Sequence, residues 1–398
     1  MSELSDRLKK LSPEQQKLLE MRLKQRARQK EEKPAGTDPG RKVKKGRIDF
    51  SIFFFSAEGK GTGSDKYKLL MESAKFADQG PFKAVWTPER HFQAFGGLYP
   101  NPSVISAALA LHTQNLRIRA GSVVAPLHSP VRIAEEWALV DDLSNGRVDI
   151  AFATGWHRHD YVIRPENFAT RRDLMFTYLE TVRALWRGEE VTIAGVDGDP
   201  TKVRTLPRPV QAELPCWVTA TSERTWREAG RLGANVLTMM VGRREDITAN
   251  IRAYREARTE NGHDPRTGIV TMMLHTYLDP DLDRARDRTR VYLHDYLRNF
   301  LDQFKAMNAD RGAALTDPQK LLDFAFERYF NNDGLLGPPD KCLKLLRELE
   351  VMGVNEAACL LDFGVPFDAS MESLERVVDL EKAYRKTAEE NTQPTAVG

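Results

Sequence analysis

The feature that most restricts the fold is an alternation of two rhythms. From Ile48 onward, short β-branched and aromatic runs take turns with stretches whose apolar residues recur at helical spacing. The runs fall at 48–56, 84–87, 116–125, 148–153, 217–220, 235–240, 269–277 and 356–362. Helices are expected after them at 64–79, 102–113, 130–143, 171–187, 223–232, 246–261, 339–352 and 370–385. Eight such units over roughly 340 residues predict an α/β protein, a closed (β/α)8 TIM barrel rather than an open sheet. A doubly wound nucleotide-binding fold would need a glycine fingerprint after the first strand. Gly59-Lys60-Gly61-Thr62-Gly63 has the wrong spacing for one. Two connections are longer than a barrel needs. Residues 191–214 read as a hairpin insertion after strand four, around Val196-Asp197-Gly198-Asp199. Residues 279–337, after strand seven, are long enough to form a lid.

The start of the chain reads differently. Leu4, Leu8 and Leu11 recur at helical spacing, and Ser12-Pro13-Glu14-Gln15 restarts a helix with an N-cap, an N1 proline and a capping-box glutamine. The expected division is a helical docking-like arm (1–30), a basic linker (31–47) and a barrel domain (48–390). The arm suits a short docking helix for a partner protein. Nucleic acid is not an expected partner, because no aromatic residue interleaves with the 41–47 charges and the net charge is only +2. No apolar run approaches membrane-spanning length. The three cysteines (Cys216, Cys342, Cys359) are too scattered for a disulfide frame or zinc knuckle, and the polar N-terminus makes a cytoplasmic location the expectation.

In such barrels reactive side chains stand at the C-terminal ends of the strands. Five of the eight histidines map there: His91, His128, His157, His159 and His275, with His128 the one expected to be structural. His157-Arg158-His159 could bring two imidazoles to a metal, so a metal-dependent barrel hydrolase is an alternative. However, strand one ends in Ser56-Ala57-Glu58 and offers no matching ligands. The same rim is rich in small and hydroxyl residues: Ser122, Thr154-Gly155, Thr219, Thr221, Ser222 and Thr225. Ser222 stands where it would cap helix 223–232, and hydroxyls gathered at a helix N-terminus suit a phosphate.

Four segments carry a resemblance. They are Trp86-Thr87-Pro88-Glu89-Arg90-His91-Phe92, Ala120-Gly121-Ser122-Val123-Val124-Ala125-Pro126, Ala153-Thr154-Gly155-Trp156-His157 and Thr219-Ala220-Thr221-Ser222. In order and strand by strand they resemble the motifs of bacterial luciferase-like flavin monooxygenases. Pro165-Glu166-Asn167 and Ala358-Cys359-Leu360-Leu361-Asp362-Phe363-Gly364 are similar to the subgroup associated with nonribosomal peptide and polyketide assembly. The resemblance implies a monooxygenase using FMNH2 and O2. The flavin ring would lie against a Gly121–Ser122 cis peptide. Its phosphate would be held by Ser222 and Thr225, beside Thr221, with help from Thr154 and the Gly155–Trp156 backbone. Luciferase has an arginine where Thr154 stands, which leaves the phosphate's cationic partner open among Arg158, Arg164 and Arg224. His91, and after it His157, would govern the proton of the activated oxygen. The histidine prominent in luciferase aligns with Arg90, which could face the oxygen, a substrate carboxylate or Glu89. The lack of a nicotinamide fingerprint implies a separate flavin reductase. The arm resembles linkers beside synthase modules and implies an acyl or peptidyl substrate on a carrier protein. The family also implies a homodimer. An F420-dependent dehydrogenase of the same fold and a non-catalytic flavin-binding subunit are further alternatives.

Overall fold

Eight parallel strands close on themselves. In the computed structural model, which describes residues 47–55, 62–308 and 318–390, β1 (Asp49–Phe53) pairs with β2 (Ala84–Thr87). Then come β3 (Arg117–Val124) and β4 (Val148–Ala153). A two-stranded antiparallel hairpin, β5 (Val191–Ala194) and β6 (Pro200–Val203), interrupts the series as the expected first insertion. The barrel resumes with β7 (Cys216–Thr219), β8 (Asn235–Met239) and β9 (Val270–Leu278). Finally β11 (Glu356–Leu360) pairs with both β9 and β1 and closes the ring. The arm and all but the last residue of the linker lie outside the described residues.

The helices follow from local signals. They are α1 (Lys68–Asp78), α2 (Pro102–His112), α3 (Pro130–Ser144), α4 (Arg171–Arg187), α5 (Glu223–Arg231) and α6 (Arg244–Glu260), then α7 (Leu282–Asn308), α8 (Pro318–Arg328), α9 (Pro339–Met352) and α10 (Phe367–Glu390). Pro102 opens α2 while the Asn101 side chain accepts from the Ser103 and Val104 amides. Gly188 ends α4 in the left-handed conformation, at φ 84°. The second insertion consists of α7, α8, a π-type turn (Tyr329–Asp333) and β10 (Leu335–Gly337). β10 was not among the expected strands; its three residues pair along β9 from Thr276 to Leu278.

Strand alternation sorts the barrel into two cores. Ile118, Ile150, Phe152, Val218 and Val236 face outward onto the helices. Phe53, Trp86, Ala151, Trp217 and Met273 face inward. The interior also holds buried ions. Arg119 donates to Asp149 at 2.6 Å and to both Glu356 oxygens at 2.7 and 2.8 Å, and it lies between the Trp86 and Trp217 rings. Ser51 donates to Glu356 at 2.7 Å and accepts from the Trp86 indole at 3.0 Å. Burial works against the Arg119 charge, but Glu356 and Asp149 outweigh it and hold its pKa above the ordinary value.

Candidate active site

Because every barrel strand runs parallel, their C-terminal ends share one mouth. Its floor is made of small residues. The Gly121–Ser122 peptide of β3 is cis, as the resemblance implied. Ser122 Oγ reaches past β4 to Thr219 Oγ1 of β7 at 2.5 Å. Ala153, Thr219 and Met239 around this contact are half-buried. A Cβ on Gly121 would stand 2.9 Å from Phe53 and 3.0 Å from Trp86, so rings in the layer below already fill the space beneath the peptide. On β4's continuation Gly155 takes φ +63°, and a Cβ there would meet Val124 at 2.6 Å. The Tyr161 hydroxyl fixes this turn by donating to the Thr154 carbonyl at 2.5 Å.

Glu89 organises the β2–β3 side. Its buried carboxylate accepts from His128 Nε2 at 2.6 Å and from His91 Nε2 at 2.9 Å, both on Oε1, and from the Val124 amide at 2.7 Å on Oε2. A carboxylate only accepts, so both imidazoles carry their proton on Nε2 and keep Nδ1 as a potential acceptor. Burial alone would raise the Glu89 pKa. Hydrogen bonds from His128 and His91, the His128 charge and the Val124 amide reverse this and hold it below the ordinary carboxylate value. Burial lowers the His128 pKa, but the hydrogen bond and charge of Glu89 win and raise it. From the sequence, Glu89 is expected only as a partner for Arg90. Its carboxylate instead anchors two histidines and the end of β3.

Arg90 sits in an aromatic box. Its guanidinium carbon lies 4.8 Å from the Phe55 ring centroid, 5.2 Å from Phe95 and 5.5 Å from Trp156. Burial pulls its pKa down, with Tyr296 and Asp160 opposing. Next to it the Gln93 amide nitrogen donates to His157 Nε2 at 2.7 Å, which puts the His157 proton on Nδ1, 3.5 Å from Asp160. Phe92 is exposed, adopts φ 58°, and lays its ring beside those of His91 and His159.

Thr221 and Ser222 are exposed at the start of α5. Ser222 occupies the N-cap, but its hydroxyl pairs with Thr225 Oγ1 at 2.9 Å and caps no backbone amide, contrary to the capping expected of it. The Thr225 and Trp226 amides donate to the Ser222 carbonyl at 2.9 and 3.1 Å, which leaves the Glu223 and Arg224 amides of the first turn of α5 without an acceptor within the helix. Of the arginines considered for a phosphate, Arg224 meets Asp173 at 3.3 Å, Arg164 meets Glu166 at 3.7 Å, and Arg158 lies over the Phe168 ring.

His275, read as a rim histidine, does not open onto the mouth. Its ring is fully buried against Tyr296, Tyr329 and Phe363, Nε2 has no hydrogen-bond partner, and burial drives its pKa down to about 3. Among the described residues no three His, Cys, Asp or Glu side chains converge as a metal site. His159 faces Phe92 while His157 faces Gln93, which does not favour the hydrolase alternative. The three cysteines are buried and unpaired. No described helix is long and apolar enough to cross a membrane.

Residues 48–356 match the family model described as luciferase-like monooxygenase. The oxygenase component of the flavin-dependent trigonelline monooxygenase of Acinetobacter baylyi is 25% identical over 325 residues, covering 80% of this chain and 89% of the relative. Two solved structures share the fold. One is the oxygenating constituent of 3,6-diketocamphane monooxygenase from Pseudomonas putida, in complex with FMN. Its TM-score is 0.69 at 19% identity, covering 85% of this chain and 98% of the other. The second is an F420-dependent secondary alcohol dehydrogenase with TM-score 0.64 at 18% identity, covering 84% and 99%.

Proposed function

Since the chain belongs to the luciferase-like monooxygenase family, we propose that it is the oxygenase component of a two-component system. In this reading it accepts FMNH2 from a separate reductase and uses O2 to oxygenate an acyl or peptidyl group on a carrier protein in natural-product biosynthesis. The observation that carries the flavin assignment is the Ser122–Thr219 contact, which brings β3 and β7 together over Ala153 into a flat, half-buried floor. A planar ring fits that floor, because its upper side carries only the small side chains of Ser122, Ala153 and Thr219, while Gly121 packs against Phe53 and Trp86 below. Ser222, Thr225 and the first-turn amides of α5 suit the phosphate, with Thr221, Thr154 and the Gly155–Trp156 backbone alongside.

Bound reduced FMN supplies the electrons that activate O2 and the site for transfer of one oxygen atom to the substrate. The remaining work falls to the protein. His91, its Nε2 held by Glu89, gives and takes a proton at Nδ1. The His157 tautomer is fixed by Gln93, and His157 is second in line for that role. Arg90 brings a positive charge to the mouth from within an aromatic box, where little water screens it. The insertion of α7 and α8 lays Tyr296 against Phe95 at 5.1 Å and helps to exclude water from the mouth.

A homodimer is supported by Val104 and Leu111 of α2 and Leu139 and Leu143 of α3. These are exposed apolar residues on two helices that pack together. Sedimentation of a purified monomer at micromolar concentration would remove that part of the proposal.

The deciding experiment is anaerobic titration of the chain with FMNH2 and with reduced F420, followed by admission of isotopically labelled O2 in the presence of carrier-bound acyl groups. Label in the product supports the oxygenase. Oxygen-independent reduction of a carbonyl group at the expense of reduced F420 would make the chain a dehydrogenase. Deleting residues 1–46 should leave flavin affinity intact and weaken turnover of carrier-bound substrate only. Equal turnover would end the docking role of the arm.

A further inference from the structure

A cleft of about 800 Å³ opens beside the barrel mouth, between α7, the 65–69 segment and the loop at 362–367. That volume suits a small organic ligand. The cleft lies over the ends of β11 and β1, since Asp362 on its wall accepts from the Phe55 amide at 2.9 Å. In the ring of eight strands β1 stands four places from β7 in either direction. The cleft therefore faces the hydroxyl-lined end of α5 across the whole mouth, and a flavin with its phosphate at α5 leaves this side free for a second molecule.

The two ends of the cleft differ in chemistry. The inner end is walled by the buried rings of Phe95, Tyr296 and Phe363, and Phe95 is itself part of the box around Arg90. At the outer end Arg298 is neutralised by Asp295 at 2.7 Å. Lys66 and Lys68 are exposed there, and among the described residues neither has a carboxylate at ion-pair distance. Lys68 Nζ lies 4.3 Å above the Phe367 ring. Even with Asp65 at the same rim, the outer end keeps one surplus positive charge, and Asp362 on the wall above β11 brings the cleft as a whole to neutrality.

We infer that this cleft is the substrate site, taking an elongated acyl or aryl molecule with its apolar end at Phe95 and Tyr296 and an anionic group at Lys66 and Lys68. This rests on the oxygenase reading above. If the substrate is carrier-bound, the anion is the phosphodiester of the carrier's arm.

The test uses the full chain and three probes: phenylacetyl-phosphopantetheine, phenylacetyl-N-acetylcysteamine (the same thioester without phosphate) and free phenylacetate. Binding is followed by calorimetry. The Lys66→Ala/Lys68→Ala double variant should bind the phosphopantetheine thioester about tenfold more weakly. It should leave the uncharged thioester unchanged. Phe95→Leu should weaken both thioesters alike. FMN affinity, measured by fluorescence quenching, should stay constant in each. Equal losses for both thioesters on removing the lysines, or no binding of any probe at millimolar concentration, would overturn the assignment. Lysine-dependent binding of phenylacetate without binding of either thioester would uphold the cleft and reject the carrier-bound substrate. Loss of FMN binding by the unmodified chain would count against the oxygenase reading alone.

Discussion

Replacing His275 by phenylalanine should make the protein less sensitive to acid, and the size of the effect can be worked from its surroundings. The imidazole is closed in by Tyr296, Tyr329 and Phe363, with no partner for Nε2. In the unfolded chain the ring takes up a proton as pH falls through 6.5, whereas in the folded protein it stays neutral down to about 3. The neutral ring's contribution is therefore complete above 6.5 and is lost progressively as pH drops toward 3. Each pH unit inside that window removes a little over 1 kcal/mol, or about 3 kcal/mol near pH 4.5. Other carboxylates and histidines titrate in the same range, but they do so in both proteins and cancel in the difference. Urea unfolding of wild type and His275→Phe, near pH 7.5 and again near pH 4.5, measures it. The wild type should lose about 3 kcal/mol more than the variant between the two conditions. Parallel losses would mean that the imidazole is hydrated or already protonated in the folded state, and the account of its cage would be wrong.

Glu89→Gln keeps the shape of the β2–β3 anchor but removes its charge. We expect kcat/KM to fall about tenfold or more, with FMN affinity little changed, because an amide offers one acceptor oxygen where the carboxylate serves both histidines and the Val124 amide with two. Gly121→Ala forces a methyl group into Phe53 and Trp86, so thermal unfolding should show a loss of about 1–3 kcal/mol and fluorescence quenching a much weaker flavin complex. Ser222→Ala with Thr225→Val should weaken FMN binding about tenfold while leaving riboflavin, which lacks the phosphate, unaffected. A matched loss for both flavins would move the phosphate elsewhere.

The barrel was legible because each unit switches the apolar period from two to 3.6 residues, a signal that survives even where strand ends shift. Residues 370–385 were expected as the last helix, and α10 runs from Phe367 to Glu390. β10 has no local signature, being three residues held by pairing to β9. At the site, strand-end position was enough to single out His91 and His157. What the sequence did not convey was direction. Glu89 could as well have turned to its neighbour Arg90, and its partnership with His128, 39 residues away, exists only once β2 and β3 lie side by side. His275 was misjudged because the residue that covers it, Tyr296, arrives from an insertion whose path has no local signature. Likewise Ser222 occupies the cap position but gives its hydroxyl to Thr225, a choice that spacing does not decide.

The ionic layer around Arg119 has a consequence for how such a protein can change. It joins β3 to β4 and β11, with β1 and β2 attached through Ser51 and Trp86, and it does so one layer beneath the mouth. Closure of the barrel is thus secured without help from the loops above. Those loops are free to be exchanged for others that admit different molecules, while the layer that ties the strands together stays as it is.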